Sequence, residues 1–256
     1  MEDSQKVIFN LNQFYYHSNN YEWTTEMPYY WFCFFKMDGD NCLLNEDFKL
    51  EGFVSLYTPL DKIGDLSALE SDKKEDFIKI PESSGKKEIL LKPIPVPKFI
   101  KDSTLKKPEP QVGCVVVFMN KTCFLSDVEN QLAPLLASTV QNQLNELLSK
   151  FNYRKTTLTN KTKSLSRILE TVVHKATIEK QPFWKRFLSE SKVDATIWKF
   201  SAGELQELNS ISLTKNWTNE GTWELSGNIS LSRNYPYPTF SPKTKSQQKE
   251  FSYQPD

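Results

Sequence analysis

Residues 29–36 read Tyr29-Tyr30-Trp31-Phe32-Cys33-Phe34-Phe35-Lys36, and this stretch decides the fold. Its apolar block, Tyr29 to Phe35, holds seven residues and is aromatic, so it reads as a strand. Successive side chains of a strand point to opposite faces. Tyr30, Phe32 and Phe34 then share one face, and Trp31, Cys33 and Phe35 the other. A strand that is apolar on both faces needs cover on both sides. Asp38-Gly39 follows as a tight-turn signal, and a return strand is expected through Phe48, Leu50, Phe53, Ser55 and Tyr57.

Upstream, Val7, Phe9 and Leu11 share one side of an extended run that continues into Phe14-Tyr15-Tyr16. Downstream, residues 61–110 are irregular, with short strand candidates at Phe77–Ile80 and Ile89–Leu91. The alternate prolines of Pro93-Ile94-Pro95-Val96-Pro97 fix φ and remove donors, so this piece is extended but not a central strand. Gly113 to Met119 is a second buried strand.

Helical periodicity then takes over. Ser126-Asp127-Val128-Glu129 fits a capping box. Val128, Leu132, Leu136, Val140, Leu144, Leu147 and Phe151 line one helical face, and Pro134 predicts a kink or a later helix start. A second helix is expected over 161–178, with Leu165, Ile168, Leu169, Val172, Val173 and Ala176 inward. A short third covers Gln181 to Leu188, with Pro182 suited to a first helical position. Ala195 to Phe200 returns to strand. Ile211, Leu213, Trp217, Trp223, Leu225, Ile229 and Leu231 all fall on odd positions, which predicts a hairpin with one covered face, turning near 216–221. The fold class expected is α+β: a largely antiparallel sheet or sandwich, with a helical segment at about 126–190 inserted between N-terminal and C-terminal strands. Residues 1–233 would form a single α+β domain, and 234–256 a flexible Pro/Lys/Ser-rich tail.

Of 256 residues, 38% are hydrophobic and 25% charged, as in a soluble globular chain. Such a length buries roughly 70–75% of the unfolded chain's surface without a metal or disulfide staple. With 8 glycines there is no Gly-rich phosphate loop. The start is acidic, with no apolar run of signal-peptide type, and no stretch approaches the roughly 18 apolar residues of a spanning helix. A cytoplasmic setting is expected. Cys33, Cys42, Cys114 and Cys123 make no C-x-x-C knuckle and are expected as reduced, buried small hydrophobes.

Catalytic signatures are sparse. There is no G-x-S-x-G elbow, and His17 and His174 are the only histidines. Asp38-Gly39-Asp40-Asn41 resembles the start of a calcium loop, but Leu43 and Lys49 stand where that loop needs Gly and Glu, so a polar turn is expected. No cofactor and no metal is expected. Eleven of the twenty-two residues from Phe14 to Phe35 are aromatic. They suit a sheet core, or a surface that grips sugars, bases or a membrane interface. Tyr15, Tyr16, Tyr21 and Trp23 fall outside the strict strand pattern and are expected to face outward.

Charge is segregated. Residues 1–60 carry nine acids against three lysines, a net of −6. Residues 150–192 carry eleven basic residues against three acids, a net of +8. Lys161, Arg167 and Lys175 share an arc of about 120° at 100° per residue, with Lys161 and Lys175 beside the Leu165/Ile168/Val172 stripe, and Trp184 beside Lys185 and Arg186 would suit an anchor. These six residues are the expected partner-binding surface. Its partner would be an anionic protein surface first, an anionic membrane second, and nucleic acid behind both. The function expected is therefore a non-enzymatic interaction or assembly protein. A membrane-acting protein with amphipathic inserting segments is the alternative, followed by an enzyme whose site is assembled from distant residues.

Overall fold

A computed structural model describes residues 4–17, 29–59, 63–66, 71–72, 77–101, 107–119, 126–149, 168, 171, 193–217 and 222–232, without the side chains of 71–72, 126–131 and 193. The described strands, in chain order, are β1 (Gln5–Tyr16), β2 (Tyr29–Met37), β3 (Cys42–Leu44), β4 (Leu50–Gly52), β5 (Ser55–Tyr57), β6 (Gly64–Asp65), β7 (Ser71–Asp72), β8 (Phe77–Lys79), β9 (Lys86–Leu91), β10 (Gln111–Met119), β11 (Val193–Ser201), β12 (Ser210–Trp217) and β13 (Trp223–Leu231). The helices whose ends are described are α1 (Glu82–Gly85), α2 (Lys98–Lys101), α3 (Ser126–Ser149) and α4 (Ala202–Leu208).

All nine residues of β2 are buried, as a strand covered on both faces requires. It lies in a middle sheet ordered β11-β10-β2-β5, with β6 on the same edge of β2 as β5. The outer sheet runs β12-β13-β1-β8-β7, with β9 also paired to β1. Every pairing in both sheets is antiparallel. Tyr30, Phe32 and Phe34 of β2 face the outer sheet, where Phe9 meets Phe34 and Phe14 meets Tyr30 and Phe32. Trp31, Cys33 and Phe35 face the opposite way, against Leu132, Leu136, Val140, Leu144 and Leu148 of α3. The result is three layers, sheet on sheet on helix, with two separate apolar cores. The two sheets stack strand over strand: Trp217 of β12 lies flat on Phe118 of β10, with ring centres 4.5 Å apart.

Several expectations are corrected. The chain does turn at Asp38, whose carbonyl accepts from the N–H groups of Asn41 and Cys42. It does not return directly along β2. Residues 42–52 form a small separate hairpin, β3–β4, and Ser55–Tyr57 supply the pairing with β2. Phe48 sits at φ 62° with its ring in the helix-side core, and Phe53 is 53% exposed. The cause is α3: Asn145 accepts from the Val54 N–H at 2.8 Å, and Gln141 donates to the Val54 carbonyl at 2.7 Å, so the backbone there is tied to the helix. On α3 itself the stripe also takes in Leu148, which a further step of four keeps on the same face and which is buried more deeply than the partly buried Leu147. The helix is continuous from Ser126 through Pro134, whose ring lies on the exposed side. Its expected capping box, the expected helices of 161–178 and 181–188, and the tail 234–256 fall outside the described residues or side chains, apart from helical backbone at Ile168 and Thr171. Tyr16 packs inward on Trp223, with rings 4.8 Å apart, whereas Tyr15 is on the solvent face. Tyr21 and Trp23 lie outside the described residues.

One irregularity reconciles the odd apolar positions of β1 with Phe14. The register against β13 shifts between Leu11 and Gln13, so Asn12 is an extra residue and Phe14 returns to the inner face. The partner opposite Leu11 is Gly227, where a Cβ would stand 2.6 Å from the Asn10 carbonyl oxygen and 2.8 Å from the Leu11 Cα.

Candidate functional site

The six residues expected to bind a partner, Lys161, Arg167, Lys175, Trp184, Lys185 and Arg186, lie outside the described residues, as do His174 and Cys123. The acidic half of the charge layout is partly in view. Glu46, Asp47 and Glu51 are exposed on the β3–β4 hairpin, whose Cys42, Leu44, Phe48 and Leu50 pack in the helix-side core. Asp38 and Asp40 are instead drawn into a polar cluster at the end of β2.

That cluster is the most developed ionic arrangement among the described residues. Lys36 continues the buried run of β2, and its side chain is only 6% exposed. Its ammonium donates to Asp38 Oδ2 at 2.8 Å, Asp40 Oδ2 at 2.5 Å and the Leu90 carbonyl at 3.0 Å, which uses all three protons. Asp38, with no side-chain exposure, also accepts from the backbone N–H groups of Lys92 at 2.9 Å and Asp40 at 3.2 Å. Lys92 adds a second ammonium at 2.6 Å from Asp40. Burial works against the Lys36 charge, but its bonds to Asp38 and Asp40 outweigh this and hold the pKa above the ordinary lysine value. The hydrogen bonds from Lys36 and Lys92 hold Asp40 below the usual carboxylate range.

Chemically this cluster is closed. Each carboxylate faces an ammonium, so the calcium-like run Asp38-Gly39-Asp40-Asn41 is a salt-bridged turn. Among the described residues no group of three or more His, Cys, Asp and Glu converges as a metal site. The cluster is mechanical: through Leu90 and Lys92 it ties the middle sheet to β9 of the outer sheet. Lys87 of β9, 4.6 Å above the Tyr57 ring of β5, makes a second tie on that side.

Cys33, Cys42 and Cys114 are free and buried. Burial pushes the Cys33 thiol up to about 12 and raises Cys114 and Cys42 as well, so none is a ready thiolate at neutral pH. His17 is 52% exposed, with Nε2 3.3 Å from Glu224.

On the opposite side of the sandwich, β11 and β12 are the edge strands among the described residues. Each carries a lysine on an inward face. Lys215 stands between Leu213 and Trp217 and reaches Asp194 of β11 at 3.2 Å. Lys199 shares the face of Ala195 and Ile197, and burial lowers its pKa, with Glu204 opposing. Inward charges on edges oppose strand addition. Sequence reasoning did not single out Lys36, Lys199 or Lys215. Their signal is a lysine at an apolar phase position of a strand, a local conflict that needs a partner elsewhere.

The chain matches no known protein family, no curated protein and no solved structure. The described residues form an antiparallel β-sandwich of α+β class, with α3 packed on its middle sheet. Among the described residues no helix is long and apolar enough to cross a membrane.

Proposed function

We propose that the chain is a non-enzymatic interaction or assembly protein that docks onto an anionic protein surface through its basic segment, residues 150–192. The observation that carries this reading is the charge segregation, eleven basic residues against three acids in that segment. The reading takes the helical layer begun by α3 to continue to about residue 190, with Arg167 opposite the apolar stripe, Lys161 and Lys175 reaching solvent from its border, and Trp184 anchoring beside Lys185 and Arg186. Helical backbone at Ile168 and Thr171 supports that continuation. It also takes the setting as cytoplasmic, which three unpaired thiols support. Among the described residues the most developed ionic cluster does not compete with it, since Lys36, Asp38 and Asp40 are spent on one another.

The test is a pull-down with the full chain and with Lys161→Glu/Arg167→Glu/Lys175→Glu, repeated at low and physiological salt, with circular dichroism as the folding control. Exposed charges are screened over about 8 Å at physiological salt, so capture of an acidic protein should weaken steeply with salt and vanish in the variant. Flotation with phosphatidylserine vesicles is the second arm. Binding to vesicles alone would favour the membrane-acting alternative, and an unchanged pull-down in the folded variant would refute the docking surface.

A further inference from the structure

The centre of the solvent face of the outer sheet carries two rows of uncharged hydrogen-bonding side chains in register. Ser212, Asn228 and Asn10 lie in one cross-strand row over β12, β13 and β1, and Thr214, Ser226 and Gln13 lie in the next. Strand spacing makes each row about 10 Å wide, and the two rows stand about 7 Å apart. All six side chains are exposed or half-buried. Gln13 donates its amide to the Tyr15 hydroxyl, which fixes it and leaves its carbonyl oxygen to accept. Among the described residues the other five have no side-chain partner. Amides and hydroxyls present donors and acceptors together.

Beyond the second row the same face carries rings. Tyr15 and His17 stack with centres 6.1 Å apart and 20° between planes, and Phe77 meets Tyr15 edge-on at 6.0 Å. Glu224 sits beside His17 at 3.3 Å. Charges around the array are tied off: Lys6 pairs with Glu88 at 2.5 Å and Lys86 with Glu82 at 3.3 Å. Among the described residues only Lys79, at the end of the second row, is a cation of this face without a carboxylate partner. One cation is not the multi-cation footprint that a phosphate backbone or an anionic lipid surface needs. The face is too polar for an apolar ligand and too neutral for a polyanion.

We propose that this face binds a neutral oligosaccharide. Its hydroxyls match the paired amide and hydroxyl rows, and the apolar C–H side of a sugar ring rests on the Tyr15/His17 stack. The proposal is independent of the basic segment. It is tested by calorimetry on the full chain with neutral hexasaccharides: β-1,4-glucan, β-1,3-glucan, α-1,4-glucan, β-1,4-mannan and β-1,4-linked N-acetylglucosamine. A heparin hexasaccharide serves as the anionic comparison. At least one neutral probe should bind with Kd of about 1 mM or tighter, with no dependence on salt. Asn10→Ala/Asn228→Ala and Tyr15→Ala should each weaken that binding about tenfold or more, while Lys161→Glu/Arg167→Glu/Lys175→Glu leaves it unchanged. Absence of binding by every neutral probe at about 5 mM overturns the proposal. So does wild-type affinity in the Asn10/Asn228 variant, or preferential binding of heparin.

Discussion

Replacing Lys36 by methionine keeps the length and apolar body of the side chain but removes its ammonium. Asp38 then keeps two backbone donors, the Lys92 and Asp40 N–H groups, and loses the charge 2.8 Å away. With no side-chain exposure it cannot recover that loss from water. Removing one member of a buried pair costs about 3–5 kcal/mol, and the surviving donors place this case near the lower end, about 3. With a urea slope of about 3 kcal/mol per molar for a chain this large, the midpoint should fall by about 1 M. The assay is urea unfolding followed by far-ultraviolet circular dichroism, on Lys36→Met, Asp38→Asn and the double variant. The pair should couple, so the double variant costs less than the two singles together by about 1 kcal/mol or more. A single-variant loss under about 1 kcal/mol, or additivity within about 0.5, would refute the mechanical role assigned to this cluster. The pH dependence follows the same groups. The Lys36 pKa is raised in the fold, so its contribution is complete below the ordinary lysine value and is lost as pH climbs through the raised one. The Asp40 pKa is lowered, so its contribution is present above the ordinary carboxylate range and is lost as pH falls through the lowered value. Wild-type stability should decline at both extremes, and Lys36→Met should flatten the alkaline limb.

Other expectations follow from particular contacts. Native protein treated with a thiol reagent at pH 8 should leave Cys33, Cys42 and Cys114 unlabelled, and denaturant without reductant should expose all three; rapid native labelling of Cys33 would contradict its burial. Gly227→Ala forces a Cβ to 2.6 Å from the Asn10 carbonyl oxygen, and thermal or urea melts should show a loss of about 1–3 kcal/mol. Leu148→Ala should cost about 2–5 kcal/mol by the same measurement and clearly more than Leu147→Ala, because Leu148 is 3% exposed and Leu147 only partly buried. Lys215→Val removes an inward charge from an edge strand, so light scattering should show concentration-dependent association absent from the wild type.

Much of the layered core was legible because its signals are local. β2 and β10 carry apolar residues at both phases, and only a strand covered on two sides uses such a run. The β12–β13 hairpin alternates strictly, so its covered face could be read directly. The bulge at Asn12 was not legible, since a change of phase from Leu11 to Phe14 looks like the start of a new segment. The α4 helix was missed although its signal is present: Ser201 and Glu204 form a complete capping box ahead of the buried Leu205. The β3–β4 excursion depends on Asn145 and Gln141 bonding to Val54 some ninety residues away, which no local pattern encodes. Lys36 depends in the same way on Leu90, and its partner Asp38 on Lys92. The polar rows of the outer sheet were visible only as the positions between apolar ones; their alignment with Asn10 and Gln13 needed the strand order.

The account rests on a middle sheet sealed between the outer sheet and α3, and native-state hydrogen exchange reads this most directly. Peptides covering Tyr29–Met37 and Gln111–Met119 should exchange slowest of all, through global unfolding only, with β11 and β12 faster as edge strands. Exchange of Tyr29–Met37 as fast as that of Ser210–Trp217 would contradict it.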